Sequence, residues 1–545
     1  MKTSGMLLVF ALGVLLTPLL MENSYAEEIP SWVKNNAGWW ASGDVSETDF
    51  LNAVEFLVSN GMIHVTSSTT STTSTGSEPV PSWVKNNAGW WADGTLSDKE
   101  FLTAIEHLVE TGIITVNSKS VSISTDGVFL VTQETDEQTD SLSPEKQIWE
   151  RHAGHKDGIG APGVAIDSFQ NAIHVTYGDI KDGKASIFMK TSFDGGSTWN
   201  EPILVSEDGK GSMPHARPAD VKMGPNGEIY VIYGHSQKSQ KIWDLGFQFG
   251  FTDVYVARSI DGGKTFQQSL IADPQTSISQ VGWNPGNLHS KSFESLFVDK
   301  DTGRIYVAWL DSRGIQNGQY APTQVKMTHS DDGGKTFTPS VVIKHKACQC
   351  CATDMCKTDE TMFVQYRNII GNYGEPNYRD IVIATSEDGG TTWSPPTMIA
   401  DDGFEIDNCP HAVSTITTDD NGNLHSAWYT MGGDKPGLYY ATSTNEGKTW
   451  TYPLLVDSNN KDPLWFPATN IVIDIDSNGI PNLAWTNKSV KDNAVRHAQV
   501  IEGQVTNISD LGPGNNAWLD SFDGRTAVVW ETSGKIMLKT WNDDT

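Results

Sequence analysis

Basic residues are scarce in this 545-residue chain. Its 38 Lys and Arg stand against 67 Asp and Glu, a formal net charge of −29. That balance excludes nucleic acid as a partner, since phosphate backbones are held by clustered Lys and Arg. Cysteine is rarer still. All five lie in one window, at Cys348, Cys350, Cys351, Cys356 and Cys409, whereas a small stapled secreted domain spreads its cysteines over the whole fold. Long apolar runs are missing after the first 26 residues, and no later segment approaches the ~20 residues of a membrane span. No glycine loop of the phosphate-binding kind and no serine nucleophile elbow occurs.

Residues 1–26 read as a secretory signal. Lys2 supplies the positive start, Leu7 to Leu20 is apolar apart from Thr17 and Pro18, and Ser24-Tyr25-Ala26 offers a small-residue cleavage site. An uncleaved anchor is the alternative. The expectation is a secreted or cell-surface, extracellular protein with no transmembrane span in the mature chain, and the dispersed acidic charge fits a soluble surface. Residues 29–65 and 80–116 then repeat nearly the same text, including Pro-Ser-Trp-Val-Lys-Asn-Asn-Ala-Gly-Trp-Trp from Pro30 and from Pro81. Ser46 and Ser97 suit helix N-caps, and Gly61 and Gly112 suit helix stops. Two small helical modules follow from this pattern, joined by a Ser/Thr-rich linker at 66–79. They resemble Trp-rich repeats of exported archaeal proteins, and that resemblance implies cell-surface association. A plain spacer with its tryptophans in a mini-core is the competing reading.

From residue 119 to 545 the pattern is of short strands and Gly/Asp turns. Five segments share one signature: Ser192 to Trp199, Ser259 to Phe266, Ser330 to Phe337, Ser386 to Trp393 and Ser443 to Trp450. Each carries Asp (Asn in the last), glycine, Thr and a closing aromatic at fixed offsets. These segments resemble the Asp-boxes of sialidase-like (BNR repeat) β-propellers, where such turns are structural. An apolar strand ending in an aromatic also recurs seven times, at Ile173–Tyr177, Ile229–Tyr233, Ile305–Trp309, Met362–Tyr366, Leu424–Trp428, Pro481–Trp485 and Thr526–Trp530. The last unit holds three strands, and the lone strand at Gly127–Gln133 supplies a fourth. The expected fold class is therefore all-β, a β-propeller of seven blades, with the six blades usual for sialidases as the alternative. Closing the ring in this way removes the free sheet edges.

Propeller geometry gathers the loops between one blade and the next on the face opposite the Asp-boxes. Those loops carry His215, His289, Cys348, Cys350, Cys351, Cys409 and His411. Imidazole and thiolate converging at a channel mouth suit copper or zinc, while disulfide bonding explains the cysteines without a metal. The resemblance to sialidases points to a different set. In that family three arginines hold the substrate carboxylate, a Tyr activated by Glu attacks, and an Asp serves as acid/base. Here Arg217, Arg313 and Arg367, with Arg379, fall on or near the same face, together with Asp311, Tyr373 and Glu375, but the family's Arg-Ile-Pro opening is absent. Asn487-Lys-Ser489 and Asn507-Ile-Ser509 match the glycosylation sequon. Three functions follow as expectations: a secreted binder of a glycan or extracellular protein; a copper or zinc propeller with redox or hydrolytic activity; and an exo-sialidase or other glycoside hydrolase.

Overall fold

A strand of alternating Val, Ile and Ala that ends in Tyr or Trp needs cover on both faces, and the second strand of a propeller blade has it. All seven aromatic-ended stretches take that place. Their closing rings, Tyr177, Tyr233, Trp309, Tyr366, Trp428, Trp485 and Trp530, are buried. The computed structural model describes residues 37–38, 40–42, 82–96, 128–133, 158–181, 184–209, 211, 219–237, 251–271, 291–311, 315–316, 319–320, 323–348, 351–370, 378–406, 412–433, 435–458, 469–487 and 493–543. The chain divides into two compact units, Met1–Ser118 and Lys119–Thr545.

The second unit is a seven-bladed β-propeller of four-stranded antiparallel blades. Blade 1 runs through Gly158–Asp167, Ala172–Lys181, Lys184–Ser192 and Ile203–Leu204, and blade 2 through Val221–Met223, Ile229–Gln237, Phe251–Ser259 and Gln267–Leu270. Blade 3 holds Lys291–Val298, Ile305–Asp311, Gln324–Ser330 and Val341–Lys344, and blade 4 holds Asp354–Lys357, Met362–Arg367, Ile381–Ser386 and Thr397–Met398. Blade 5 is Thr415–Thr418, Leu424–Thr430, Gly437–Ser443 and Leu454–Asp457. Blade 6 is Thr469–Ile475, Pro481–Asn487, Ala494–Ile501 and Gln504–Pro513, with Ala412–Val413 added in parallel beside its first strand. Blade 7 combines Asn515–Phe522, Arg525–Thr532 and Lys535–Asn542 with Val128–Gln133 from the other end of the unit. That last strand pairs antiparallel with its neighbour, Val128 opposite Lys539 and Gln133 opposite Lys535. The expected closure is therefore present, and seven blades replace the six-bladed alternative.

Two devices recur between blades. In three consecutive blades the second-strand tryptophan donates its indole N–H to the end of the preceding blade: Trp428 to Asp402 at 2.8 Å, Trp485 to Asp457 at 2.8 Å, and Trp530 to the Pro513 carbonyl at 3.2 Å. The Asp-boxes form the hairpins between third and fourth strands. In the first, Asp194 accepts the Thr198 backbone N–H at 2.8 Å and its hydroxyl at 2.6 Å, while Ser192 Oγ accepts the Gly196 N–H at 2.7 Å. Asp261, Asp332 and Asp388 repeat this pattern, and Asn445 reproduces it with an amide. Gly196 has φ +98°, and a Cβ there would sit 2.7 Å from Leu538 and 3.1 Å from Phe129. The first box thus packs directly on the closing blade, and a residue with φ > 0 and no side chain is what permits it.

In the first unit, Ser82–Ala92 is helical, as are residues 37–38 and 40–42. The equivalent positions of the two repeats meet at close range, Gly38 against Ala92 and Gly89 against Ala41. Trp40 and Trp91 are buried, and the Lys85 ammonium lies 5.7 Å from the Trp40 ring centre. The remainder of both expected helical modules, and the linker at 66–79, lie outside the described residues.

Candidate functional site

The segment between blades 3 and 4 brings two of the expected site cysteines together. Cys348 and Cys351 are buried, with sulfurs 3.4 Å apart. The Cys348 N–H donates to the Arg367 carbonyl at 2.9 Å, and a bridge between Ala347 and Asn368 fixes the strand just before it. Arg379 Nη1 donates to Cys348 Sγ at 3.2 Å, and the Ala412 backbone N–H reaches the Cys351 sulfur. Burial above all, then the neighbouring Cys348, pushes the Cys351 thiol well above its ordinary value.

Arg367 sits behind this pair, only 1% exposed. Its guanidinium donates to the Arg379 carbonyl at 2.6 Å and to the Tyr429 carbonyl at 2.5 Å, with Phe404 stacked 5.3 Å from its centre. The side chain therefore ties blade 4 to blade 5 through backbone oxygens on both of its terminal nitrogens. Asp380 accepts the Phe404 N–H at 2.9 Å, and Asp402 accepts from Trp428. Burial raises both carboxyls above the usual carboxylate range, against the opposing charge of Arg367. Asp311, at the end of the second strand of blade 3, is buried in an ion pair with Lys326 at 3.0 Å.

His215, Arg217, His289, Arg313, Cys350, Tyr373, Glu375, Cys409 and His411 lie outside the described residues. His345 is exposed and hydrogen-bonded to Gln324 at 3.1 Å. Cys356 lies on the first strand of blade 4 but packs with Phe363, Ile381 and Trp428, a different layer from that of Cys348 and Cys351. Among the described residues no three His, Cys, Asp or Glu side chains converge as metal ligands, and no helix is long and apolar enough to cross a membrane.

Two sets of ionisable groups escaped the sequence reading. The first resembles catalytic dyads and is architectural. His174 bridges Asp167 at 3.0 Å and Thr191 at 2.8 Å, and His425 bridges Asp419 at 3.5 Å and Tyr440 at 2.7 Å. Each carboxylate also accepts backbone N–H groups of its own first-to-second strand turn. The second set lines the inner strands. Asp520 accepts the Ile166 N–H at 2.8 Å, Asp474 the Ser521 N–H at 3.0 Å and Asp354 the Ile416 N–H at 2.9 Å, so each aspartate fastens its blade to the next. Asp474 is half-buried. Burial, then the Asp520 charge, pushes it up to about 7. The signal for this set was an Asp within an inner strand, at the same register for Asp474 and Asp520 and two residues earlier for Asp354, and the search for Asp-boxes and His/Cys loops passed over it.

The BNR repeat-like domain family matches residues 175–458, more than half of the chain. No curated protein sequence matches. Similar solved structures include a protein of unknown function from Dyadobacter fermentans DSM 18053, at 13% identity and TM-score 0.41, covering 76% of this chain and 98% of that one. The Hadza microbial sialidase Hz136 is 14% identical at TM-score 0.39, with 65% and 73% covered. A family PL25 ulvan lyase is 14% identical at TM-score 0.44, with 71% and 94% covered. At these identities the likeness concerns the fold and does not reach activity. With its Asp-boxes in place and the match spanning blades 1 to 5, the chain belongs to the BNR repeat-like domain family.

Proposed function

We propose that the chain is an exported binding propeller. Its blade-connecting face recognises a glycan or an extracellular protein, and its Trp-rich repeats associate it with the cell surface. One observation carries the reading. Both terminal nitrogens of the buried Arg367 guanidinium donate to the Arg379 and Tyr429 carbonyls, so it holds the scaffold and presents no open fork to a substrate carboxylate. Asp311 is likewise committed to Lys326, and the Asp-box aspartates are consumed in their own turns. Seven blades also depart from the six-bladed arrangement expected of a sialidase. A rigid ring of blades with variable loops on one face suits recognition.

The test pairs hydrolysis with binding. The full chain, incubated with a chromogenic sialoside, is expected to release no sugar above background, and to bind members of a panel of extracellular polysaccharides in a solid-phase assay. Turnover that disappears in Arg217→Ala or Glu375→Gln would replace this reading with the glycosidase. The meeting of Cys348 and Cys351 favours one further reading, a copper or zinc centre completed by His215, His289, Cys350, Cys409 and His411. Near-stoichiometric copper or zinc, lost in a His215→Ala, His411→Ala double variant, would establish it.

A further inference from the structure

We propose that Cys348 and Cys351 form a disulfide that clamps the turn leading into blade 4. The two sulfurs already touch at 3.4 Å. The Cys348 backbone is held on the Arg367 carbonyl, and the Cys351 sulfur by the Ala412 N–H. Of the other described cysteines only Cys356 could compete, and it packs in another layer. No third ligand among the described residues approaches the pair.

The environments of the two sulfurs differ in a way that orders the chemistry. Cys348 Sγ receives a hydrogen bond from the Arg379 guanidinium, which favours its thiolate as the attacking group. The Cys348 thiolate attacks one sulfur of a disulfide donor, a thiol–disulfide oxidoreductase in the cell or oxidised glutathione in vitro. A mixed disulfide forms and one donor thiol leaves. The Cys351 thiolate then attacks Cys348 Sγ and expels the second donor thiol. One protein S–S bond replaces the donor's, and the two protons from the cysteines end on the donor's thiols. Both cysteines are 1% exposed, so the exchange belongs to folding, before the pair is buried. Afterwards the bond is sealed from reductants.

The inference is independent of what the propeller binds, and one labelling experiment decides it. The full chain is refolded in a glutathione redox buffer and denatured in iodoacetamide. It is then reduced, alkylated with N-ethylmaleimide and mapped by mass spectrometry. Cys348 and Cys351 are expected to carry the second label and Cys356 the first. In Cys350→Ser and Cys409→Ser the pair should stay blocked, and in Cys348→Ser a single new first-label thiol should appear at Cys351. First label on Cys348 or Cys351 in the unmodified chain overturns the proposal, because a metal-held pair would be released on denaturation and labelled there. So does a new thiol at Cys350 or Cys409 in Cys348→Ser. Where a variant fails to fold, tandem mass spectrometry of the unreduced, unmodified chain decides the matter: a Cys348–Cys351 linkage is expected, and a linkage of either to Cys350, Cys356 or Cys409 overturns the proposal.

Discussion

Closure of the ring is tested at one residue. Val131 is 2% exposed and belongs to the central apolar cluster with Ile536 and Leu538, whereas Val128 on the same strand is 45% exposed. Val131→Ala removes two methyl groups, about 1.6 kcal/mol of transfer free energy at ~0.8 each, and leaves a cavity term on top. A total of about 2 kcal/mol is expected. For a propeller of roughly 400 residues with ~2.1 cal/mol/K of unfolding entropy per residue, that lowers Tm by on the order of 2–3 °C. Val128→Ala, made in the same strand and almost equally hydrophobic, should cost under ~0.5 kcal/mol. Differential scanning calorimetry of both variants reads the contrast. Hydrogen exchange should show loosened protection in Val128–Gln133 and Lys535–Asn542 for Val131→Ala alone. Equal shifts in the two variants, or none in either, would refute the claim that this strand is an integral member of blade 7.

Other consequences follow from the turns and the channel. Glu446 takes φ +59° where the other four boxes have glycine; Glu446→Gly should stabilise by about 1 kcal/mol, since a left-handed residue with a side chain costs ~1–2 kcal/mol, read by denaturant melts. Asp388 is held down to about 2 by the Thr392 backbone N–H, its hydroxyl and Ser386. Its contribution is complete above pH ~4 and is lost as pH falls through the folded value, so Asp388→Asn should flatten the loss of Tm between pH 4 and 2. Asp474 has the opposite sign, because its folded value, about 7, lies above the unfolded one. The proton it keeps favours the folded state below pH ~4, and this advantage fades as pH rises to 7. Asp474→Asn should therefore reduce the fall in Tm between pH 5 and 8, by an amount lessened by solvent screening of this half-buried group; an unchanged slope would count against the raised value.

Much of the propeller was legible because its repeats report packing that is the same in every blade. The aromatic ending each second strand must fill the space beside the previous blade, and so it survives in all seven, even where the Asp-box has gone from blades 6 and 7. The strand at Val128–Gln133 was legible for a related reason, since blade 7 lacked a fourth strand and one apolar stretch stood unclaimed. The inner strands were harder to read. Val221–Met223 and Thr415–Thr418 are short, and their bonds to neighbouring blades run through Asp520, Asp474 and Asp354, whose partners lie on other blades. The cysteines show the same limit. Spacing placed Cys348, Cys351 and Cys356 in one window, but strand alternation sends Cys356 into a different layer from the other two. Arg367 was read for its charge, whereas the carbonyls that occupy it come from Arg379 and, 62 residues away in sequence, Tyr429.

The shared seventh blade also sets an order of events. Val128 meets Lys539 across a span of roughly 400 residues, and closing such a span costs about 5 kcal/mol of chain entropy, against about 2 for a ten-residue hairpin. Six blades can assemble from neighbouring hairpins as the chain lengthens, while Val128–Gln133 waits without its partner strand until the last segment arrives. During that interval Val131 is uncovered, and so is the surface of the first Asp-box that later receives Phe129 and Leu538. The final pairing therefore works as a completion check on synthesis. A chain truncated before Lys535 keeps most of its blades yet leaves an open edge, the kind of surface that recruits other chains.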